Sequence, residues 1–270
     1  MQHPEFLALA AQGFNRIPLV KEVLADLETP LSLYVKLTQS VGQKNTYLLE
    51  SVLGGERFGR FSFIGLPAKT ILRTIGTPED PLTEIVTNDV VVESNRDNPL
   101  DFVDAYFKRF KVAVQPGLPR FCGGLAGYFG YDTVRYIESR LAKHNLPDEL
   151  GVPDIQLMLT EELAVIDNVA GKIYLIVYAD PSIANSFEQG QARLHELLGC
   201  LHKPVSMPAS LASTKTELIR QFKAADFETA VNKTKEYILA GDCMQVVIGQ
   251  RISKSFSDSP LALYRALRSL

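Results

Sequence analysis

The stretch DFETAVNKTKEYILAGDCMQVVIGQRIS, residues 226–253, decides how this chain is interpreted, and its first half has the pattern of a helix. Small or apolar side chains recur there at helical spacing, at Phe227, Ala230, Val231, Thr234 and Ile238. Asp226 is expected to cap the first turn, because its carboxylate can accept from unpaired backbone N–H groups. Gly241 is expected to end the helix, because glycine adopts a left-handed conformation without steric cost.

The second half of this stretch, residues 244–253, alternates like a β-strand. One face carries Met244, Val246, Ile248 and Ile252, and the other carries Gln245, Val247, Gly249 and Arg251. On the second face, Gly249 would let a ligand approach the backbone, and Arg251 could bind a carboxylate through two parallel N–H bonds. The same pattern fits a solvated strand face with a single arginine, and periodicity alone favours that simpler alternative.

Three short motifs in this stretch resemble the opening of the chorismate-binding domain in the anthranilate synthase component I family. They are Ala240-Gly241-Asp242, Gln245-Val246-Val247 and Gln250-Arg251. Water-using members of the wider family carry a lysine where Gln245 stands, so the glutamine is similar to the amine-transferring branch. The resemblance implies that Gln245 lies on the catalytic face and that Arg251 binds substrate. The family usually has serine at the position of Gly249, and this chain departs from the pattern there.

Residues 46–64 are predicted to form a β-hairpin, with arms at 46–52 and 60–64 and a glycine-bearing connection. On the first arm, Glu50 is placed between apolar neighbours, which is unusual for a carboxylate unless something pairs with it. Pattern alone favours the simpler alternative that Glu50 and Ser51 meet water at the end of the strand.

The strings LLES (48–51) and RFGRFSFIG (57–65) are similar to the feedback segment of the same family. The resemblance implies an allosteric L-tryptophan site that includes Leu49, Glu50 and Ser51. Ser51 would hydrogen-bond the inhibitor, and Glu50 would pair with its ammonium group. The rest of the family's site comes from a segment that would follow residue 270.

Residues 121–138, FCGGLAGYFGYDTVRYIE, combine glycines with aromatic side chains. The glycines do not have the spacing of a dinucleotide-binding loop, and they predict close sheet packing and turns. The segment resembles the GGLxGYxxYD signature of the same family. We expect it to have a structural role, with Tyr128 and Tyr131 as packing residues.

The composition is that of an ordinary globular protein, with 270 residues, 46% hydrophobic and 22% charged. A net charge of −3 gives no indication of a nucleic-acid or anionic-membrane surface. No apolar run is long enough to span a bilayer, and the N-terminus lacks the pattern of a signal peptide, so we expect a cytoplasmic location. Cys122, Cys200 and Cys243 are interpreted as reduced thiols, and the four histidines show no metal-binding spacing.

The remaining pattern predicts alternating helices and strands in an N-terminal domain at 17–202, a linker at 203–216 and a second domain that begins at 217. Helical turns are predicted at 20–27, with helices at 99–112 and 182–201. Strands are predicted at 31–37, 71–75, 90–93, 156–160, 163–166 and 172–178, and a loop is predicted to join 75 to 90. The resemblance covers residues 17–270. It rests on three separated segments that occur in the family's order, at residues 48–65, 121–138 and 240–251.

By this resemblance the fold class is α+β, with antiparallel β-sheets, helices packed outside and an incomplete C-terminal end. The implied activity converts chorismate and ammonia to anthranilate and pyruvate, with feedback inhibition by L-tryptophan. A glutamine amidotransferase subunit (component II) would supply the ammonia. The full-length enzyme would use Mg²⁺ held by residues outside this chain, and no metal site is expected here.

Family members have about twice this length, so the resemblance implies a truncated chain that is inactive alone. Two alternatives remain open at this stage. One is the related aminodeoxychorismate synthase component I, and the other is a non-catalytic tryptophan-binding or structural fragment. The LLES and GGLxGYxxYD strings favour the anthranilate branch.

Overall fold

A computed structural model describes residues 1–39, 42–51, 59–143, 148–206 and 216–270. The chain divides into two compact units, Met1–Ser206 and Met207–Leu270. Most of the predicted linker at 203–216 lies outside the described residues, as does the connection of the predicted hairpin at 52–58.

The first unit contains two antiparallel five-stranded sheets. In chain order the strands are β1 (Ile17–Leu24), β2 (Tyr47–Leu49), β3 (Phe61–Gly65), β4 (Thr70–Thr77), β5 (Asp80–Thr87), β6 (Val90–Asn95), β7 (Gly124–Phe129), β8 (Ile155–Thr160), β9 (Glu162–Asp167) and β10 (Lys172–Ala179). The first sheet has the order β1-β10-β9-β3-β2, and the second has the order β6-β5-β4-β8-β7. Strands β8 and β9 are consecutive and belong to different sheets, so residue 161 marks the crossing between them.

Helices cover these sheets. They are α1 (His3–Ala11), α2 (Pro30–Thr38), α3 (Pro99–Phe107), α4 (Ser139–Ala142) and α5 (Ser186–Leu201), with a 3-10 helix at Tyr131–Tyr136. Helices α1, α2 and α5 contact the first sheet, and α3 contacts the second. In the second sheet Leu72, Ile85 and Ile155 are buried against Phe102 and Tyr106 of α3. Antiparallel sheets with helices outside confirm the predicted α+β class.

The sequence interpretation of residues 20–38 is wrong in both halves. Residues 20–24 belong to β1, which pairs with β10 along its whole length, and 30–38 form α2. Pro30 occupies the first turn of the helix, where its missing N–H is not needed. Thr29 completes a capping box, since its hydroxyl accepts from the Ser32 N–H at 3.1 Å while the Ser32 hydroxyl accepts from the Thr29 N–H at 2.9 Å.

The loop predicted between 75 and 90 is instead mostly strand β5, which forms a hairpin with β4. The sequence of β5 does not show a clear alternation of apolar and polar residues, because one of its core positions holds a threonine. Thr83 is fully buried, and its hydroxyl lies 2.9 Å from that of Thr74 across the hairpin. Helix α3 also ends earlier than predicted, at Phe107, and the Phe107 side chain is largely exposed.

The second unit contains α6 (Ala224–Ala240), α7 (Pro260–Arg268) and a two-stranded ribbon of β11 (Ile219–Arg220) and β12 (Ile252–Ser253). Helix α6 was predicted correctly, and Gly241 ends it with φ +83°. Its N-cap is Lys223, so Asp226 lies inside the first turn and is not the cap. A carboxylate there still interacts favourably with the helix dipole.

The predicted strand at 244–253 is wrong over most of its length, because only Ile252 and Ser253 pair with another strand. A strand is stabilised by hydrogen bonds to a neighbour, and the described part of this unit offers only the short β11. Among residues 216–270 none is buried, so the apolar positions of α6 and α7 have no core of their own to fill.

Candidate functional site

The residues predicted to bind an effector lie where the short strand β2 ends. Tyr47, Leu48 and Leu49 pair with Gly65, Ile64 and Phe63 of β3, which confirms the predicted hairpin. The ladder stops at Leu49, and both Glu50 and Ser51 are half-buried beyond it. The Ser51 N–H donates to the Ser62 hydroxyl at 3.2 Å. The three residues Leu49, Glu50 and Ser51 are called the effector arm below.

An apolar cleft of about 410 Å³ lies beside the effector arm. It is lined by Tyr47 and Leu49 of β2, Phe63 of β3, Leu125, Ala126 and Gly127 of β7, Met158 of β8, and Phe121. Tyr47 and Leu49 are two residues apart and therefore face the same side of the strand. Pockets of this size and lining commonly hold small organic ligands.

Tyr47 joins the two sheets at this cleft. Its ring lies over Gly65, where an added Cβ would be 2.1 Å from the ring. Its hydroxyl donates to the Thr160 hydroxyl at 3.2 Å, at the end of β8. Burial raises the pKa of Tyr47 to about 12, although the hydrogen bond with Thr160 opposes the shift. Tyr47 is therefore a neutral wall of the cleft at physiological pH.

A charged pair lies at the base of the hairpin, and sequence patterns did not identify it. The buried Asp167 carboxylate accepts from the Arg60 Nε at 2.9 Å and from the N–H groups of Val169 and Ala170 at 3.1 and 3.0 Å. The hydrogen bond from Arg60 is the main reason that the pKa of Asp167 lies below its ordinary value, with burial opposing and the Ala170 N–H assisting. The pair ties the start of β3 to the turn between β9 and β10.

This pair predicts a pH dependence of stability. A carboxyl group whose pKa is lower in the folded state stabilises the fold when the pH is above its pKa in the unfolded state. That contribution is lost as the pH falls through its pKa in the folded state. We expect Arg60→Gln to lower the melting temperature at pH 7, since the pKa of Asp167 rises without the guanidinium. The difference from the unsubstituted chain should shrink between about pH 5 and pH 2.

Melting curves by circular dichroism across this pH range test the expectation. Lys44→Gln is the matched control, because the Lys44–Asp89 ion pair is highly exposed on both sides and exposed pairs add little stability. A constant difference between Arg60→Gln and the unsubstituted chain at every pH would contradict the assigned role of Asp167.

The glycine-rich segment forms β7 and the 3-10 helix that follows it. As predicted, a glycine permits close packing there, because a Cβ at Gly127 would lie 1.9 Å from the Gln156 carbonyl oxygen. The packing role predicted for two tyrosines is wrong. Tyr131 is 94% exposed at the start of the 3-10 helix, and Tyr128 is 41% exposed, with its hydroxyl donating to the Pro153 carbonyl at 2.9 Å.

The row predicted to face substrate is exposed in the second unit. Gln245 and Arg251 both lie outside regular strands with exposed side chains, and the Arg251 carbonyl accepts from the Gln221 N–H at 3.0 Å. A Cβ added at Gly249 would meet nothing within 4 Å, so the space beside this glycine is open. The catalytic role of Gln245 and the substrate role of Arg251 stay predictions.

The described residues do not fit a magnesium site. Within residues 1–39, 42–51, 59–143, 148–206 and 216–270, no group of three or more His, Cys, Asp or Glu side chains could hold a metal ion. All three cysteines lie in these ranges, and none of them forms a disulfide. No helix in the described part of the chain has the length and apolarity to cross a membrane.

Comparison with known proteins identifies the class. A family model described as chorismate binding enzyme matches residues 66–270, and the chain therefore belongs to the chorismate binding enzyme family. The match begins at β3–β4 in the first unit and continues through the second.

Several curated proteins similar to this chain carry the name anthranilate synthase component 1. The chain is 54% identical over 269 residues to that of Neisseria meningitidis serogroup B, covering 98% of this chain and 53% of the relative. It is 52% identical over 274 residues to that of Pseudomonas aeruginosa, covering 99% and 54%. The chain thus spans about half the length of the curated relatives it matches.

A solved structure of a protein with this name also matches the chain. The crystal structure of anthranilate synthase component I from Streptococcus pneumoniae matches with a TM-score of 0.61 and 25% sequence identity, covering 81% of this chain and 47% of that chain. A solved protein of this name therefore shares the fold over 81% of this chain.

Proposed function

We propose that this chain provides the effector arm and the opening of the chorismate-binding domain in an anthranilate synthase component I. The complete protein would convert chorismate and ammonia to anthranilate and pyruvate in tryptophan biosynthesis. A glutamine amidotransferase subunit would supply the ammonia, and Mg²⁺ would be held by residues outside the described part of this chain. The observation that carries the proposal is 54% identity over 98% of the chain to a protein of that name.

The effector arm would bind L-tryptophan. The ligand's indole needs an apolar wall, and Leu49 belongs to an apolar cleft of about 410 Å³. Its ammonium group needs an anion, and Glu50 is the carboxylate that follows Leu49 in the chain. Its carboxylate needs a small hydrogen-bond donor, and the Ser51 hydroxyl is of that type. The apolar cleft beside Leu49 supports the first of these roles, and the other two follow from the residue types at positions 50 and 51.

The 270-residue chain alone would have no synthase activity. Catalysis depends on groups held in a fixed geometry around the reacting atoms. Gln245 and Arg251, the residues proposed for the substrate face, are exposed and lie outside any regular strand in this chain. The proposal also places the protein in the cytoplasm, which agrees with three cysteines that form no disulfide.

A chimera tests the activity and the effector site together. Residues 1–270 would be joined to the remaining part of the Neisseria meningitidis relative, and anthranilate formation from chorismate, ammonium and Mg²⁺ would be followed by fluorescence. We expect activity in the chimera and none in the 270-residue chain. L-Tryptophan should inhibit the chimera. Ser51→Ala should raise the inhibitory concentration about tenfold, because the variant loses a hydrogen bond to the charged carboxylate of the ligand.

Ser94→Ala is the matched control, since Ser94 is an exposed serine on β6 and its loss should change neither turnover nor inhibition. A folded chimera that forms no anthranilate would contradict the proposed function. Inhibition that is equal in the chimera and its Ser51→Ala variant would remove the effector role.

A further inference from the structure

The effector arm lies beyond the last ladder pair of its own strand. Pairing between β2 and β3 ends at Leu49 and Phe63. Strand backbone past the end of a ladder lacks inter-strand hydrogen bonds and is free to fray unless side chains hold it. The position of Ser51 therefore depends on a contact outside the ladder.

The Ser62 hydroxyl makes one such contact. Ser62 is fully buried in the middle of β3, on the same face as Ile64. Its oxygen accepts from the Ser51 N–H at 3.2 Å and from the Asn168 Nδ2 at 3.1 Å. A hydroxyl oxygen has two lone pairs, so these two donors use its full accepting capacity.

Asn168 is itself fixed by the turn between β9 and β10. Its N–H donates to the Arg60 carbonyl at 2.9 Å. The preceding residue, Asp167, binds the Arg60 guanidinium and the N–H groups of Val169 and Ala170. The turn and the start of β3 therefore form one hydrogen-bonded body, and Asn168 presents its amide to Ser62 from that body.

We propose that Ser62, oriented by Asn168, is the positioning residue of the effector arm. It holds the backbone at Ser51, two residues after Leu49 of the apolar cleft, and so fixes the path of the effector arm where it leaves β2. The part of this inference that concerns ligand affinity rests on the proposed tryptophan site. The part that concerns the Ser51 backbone does not, and the two are measured separately.

Hydrogen–deuterium exchange at the Ser51 amide, followed by NMR on the 270-residue chain, tests the positioning. One net hydrogen bond corresponds to about a fivefold to tenfold change in an opening equilibrium. We expect Ser62→Ala to speed exchange at Ser51 by about that factor, while amides between β1 and β10 keep their rates. Asn168→Ala should give a smaller acceleration, and its exposed position makes misfolding of this variant a minor risk.

Thr83→Val is the matched control. It also removes a buried hydroxyl that is hydrogen-bonded across a hairpin, but in the second sheet. It should leave exchange at Ser51 unchanged. Equal exchange rates at Ser51 in the unsubstituted chain and in both Ser62→Ala and Asn168→Ala would overturn the proposal.

Isothermal titration with L-tryptophan separates positioning from binding. Where the unsubstituted chain binds, Ser62→Ala should weaken the affinity by about fivefold to tenfold and Thr83→Val should not. Accelerated exchange together with no tryptophan binding by the 270-residue chain would uphold Ser62 as the positioning residue, and inhibition of the chimera would then decide the effector role. Weakened binding with unchanged exchange would overturn the positioning role.

Discussion

Gly127→Ala is expected to lower the free energy of unfolding of the first unit by about 3 kcal/mol. The added Cβ would lie 1.9 Å from the Gln156 carbonyl oxygen and 2.9 Å from the Leu157 Cα, both in the neighbouring strand β8. Backbone atoms in a paired strand cannot move aside as a flexible side chain can. The clash must therefore separate β7 from β8 locally.

Urea unfolding followed by circular dichroism measures this loss. Gly199→Ala is the matched control, because a Cβ there meets nothing within 4 Å and the residue lies inside helix α5. Alanine favours helices over glycine by about 1 kcal/mol, so the control should be neutral or stabilising. A Gly127→Ala chain as stable as Gly199→Ala would mean that β7 does not pair with β8 as described.

Arg16→Met is expected to destabilise the first unit by about 2 kcal/mol. The Arg16 guanidinium donates to Glu161 at 2.8 Å and to Asp180 at 2.6 Å, and it lies 4.9 Å from the centre of the Phe110 ring. Only 19% of the Arg16 side chain is exposed. Its removal leaves two carboxylates facing each other without their cation, and their partial exposure reduces the cost below that of a fully buried pair.

The loss should be larger at pH 7 than at pH 3. Burial opposes ionisation of Asp180, but hydrogen bonds from Ser182 and the charge of Arg16 outweigh it and hold the pKa of Asp180 below its ordinary value. Stability linked to a lowered carboxyl pKa is present at neutral pH and is lost in acid. Urea unfolding at both pH values gives the comparison.

Lys108→Met is the control for this second prediction. Lys108 pairs with Asp104 one helical turn away, and both side chains are more than half exposed. Exposed pairs of this kind contribute little to stability. If Arg16→Met cost no more than Lys108→Met, then Arg16 would not join the strand ends as the structure indicates.

Local patterns predicted the elements that depend on neighbours in sequence. The hairpin around Leu49, the strands β8 to β10 and the helices α5 and α6 all follow from alternation or helical spacing. Pro30 misled the interpretation because the same residue can stop one helix or begin another, and only the Thr29–Ser32 capping box decides which. The strand predicted at 244–253 formed only at its last two residues, because alternation shows which residues share a face but not which strand would pair with them.

The sequence by itself determined the family and the order of its motifs, because these depend only on which residues follow one another. Only the tertiary structure decided that Leu49 shares an apolar cleft with β7 and β8, and that Ser62 and Asn168 hold the backbone of Ser51. It also decided that Arg16 meets Glu161 and Asp180 across the chain. Such contacts join residues distant in sequence, and strand pairing and sheet packing bring them together.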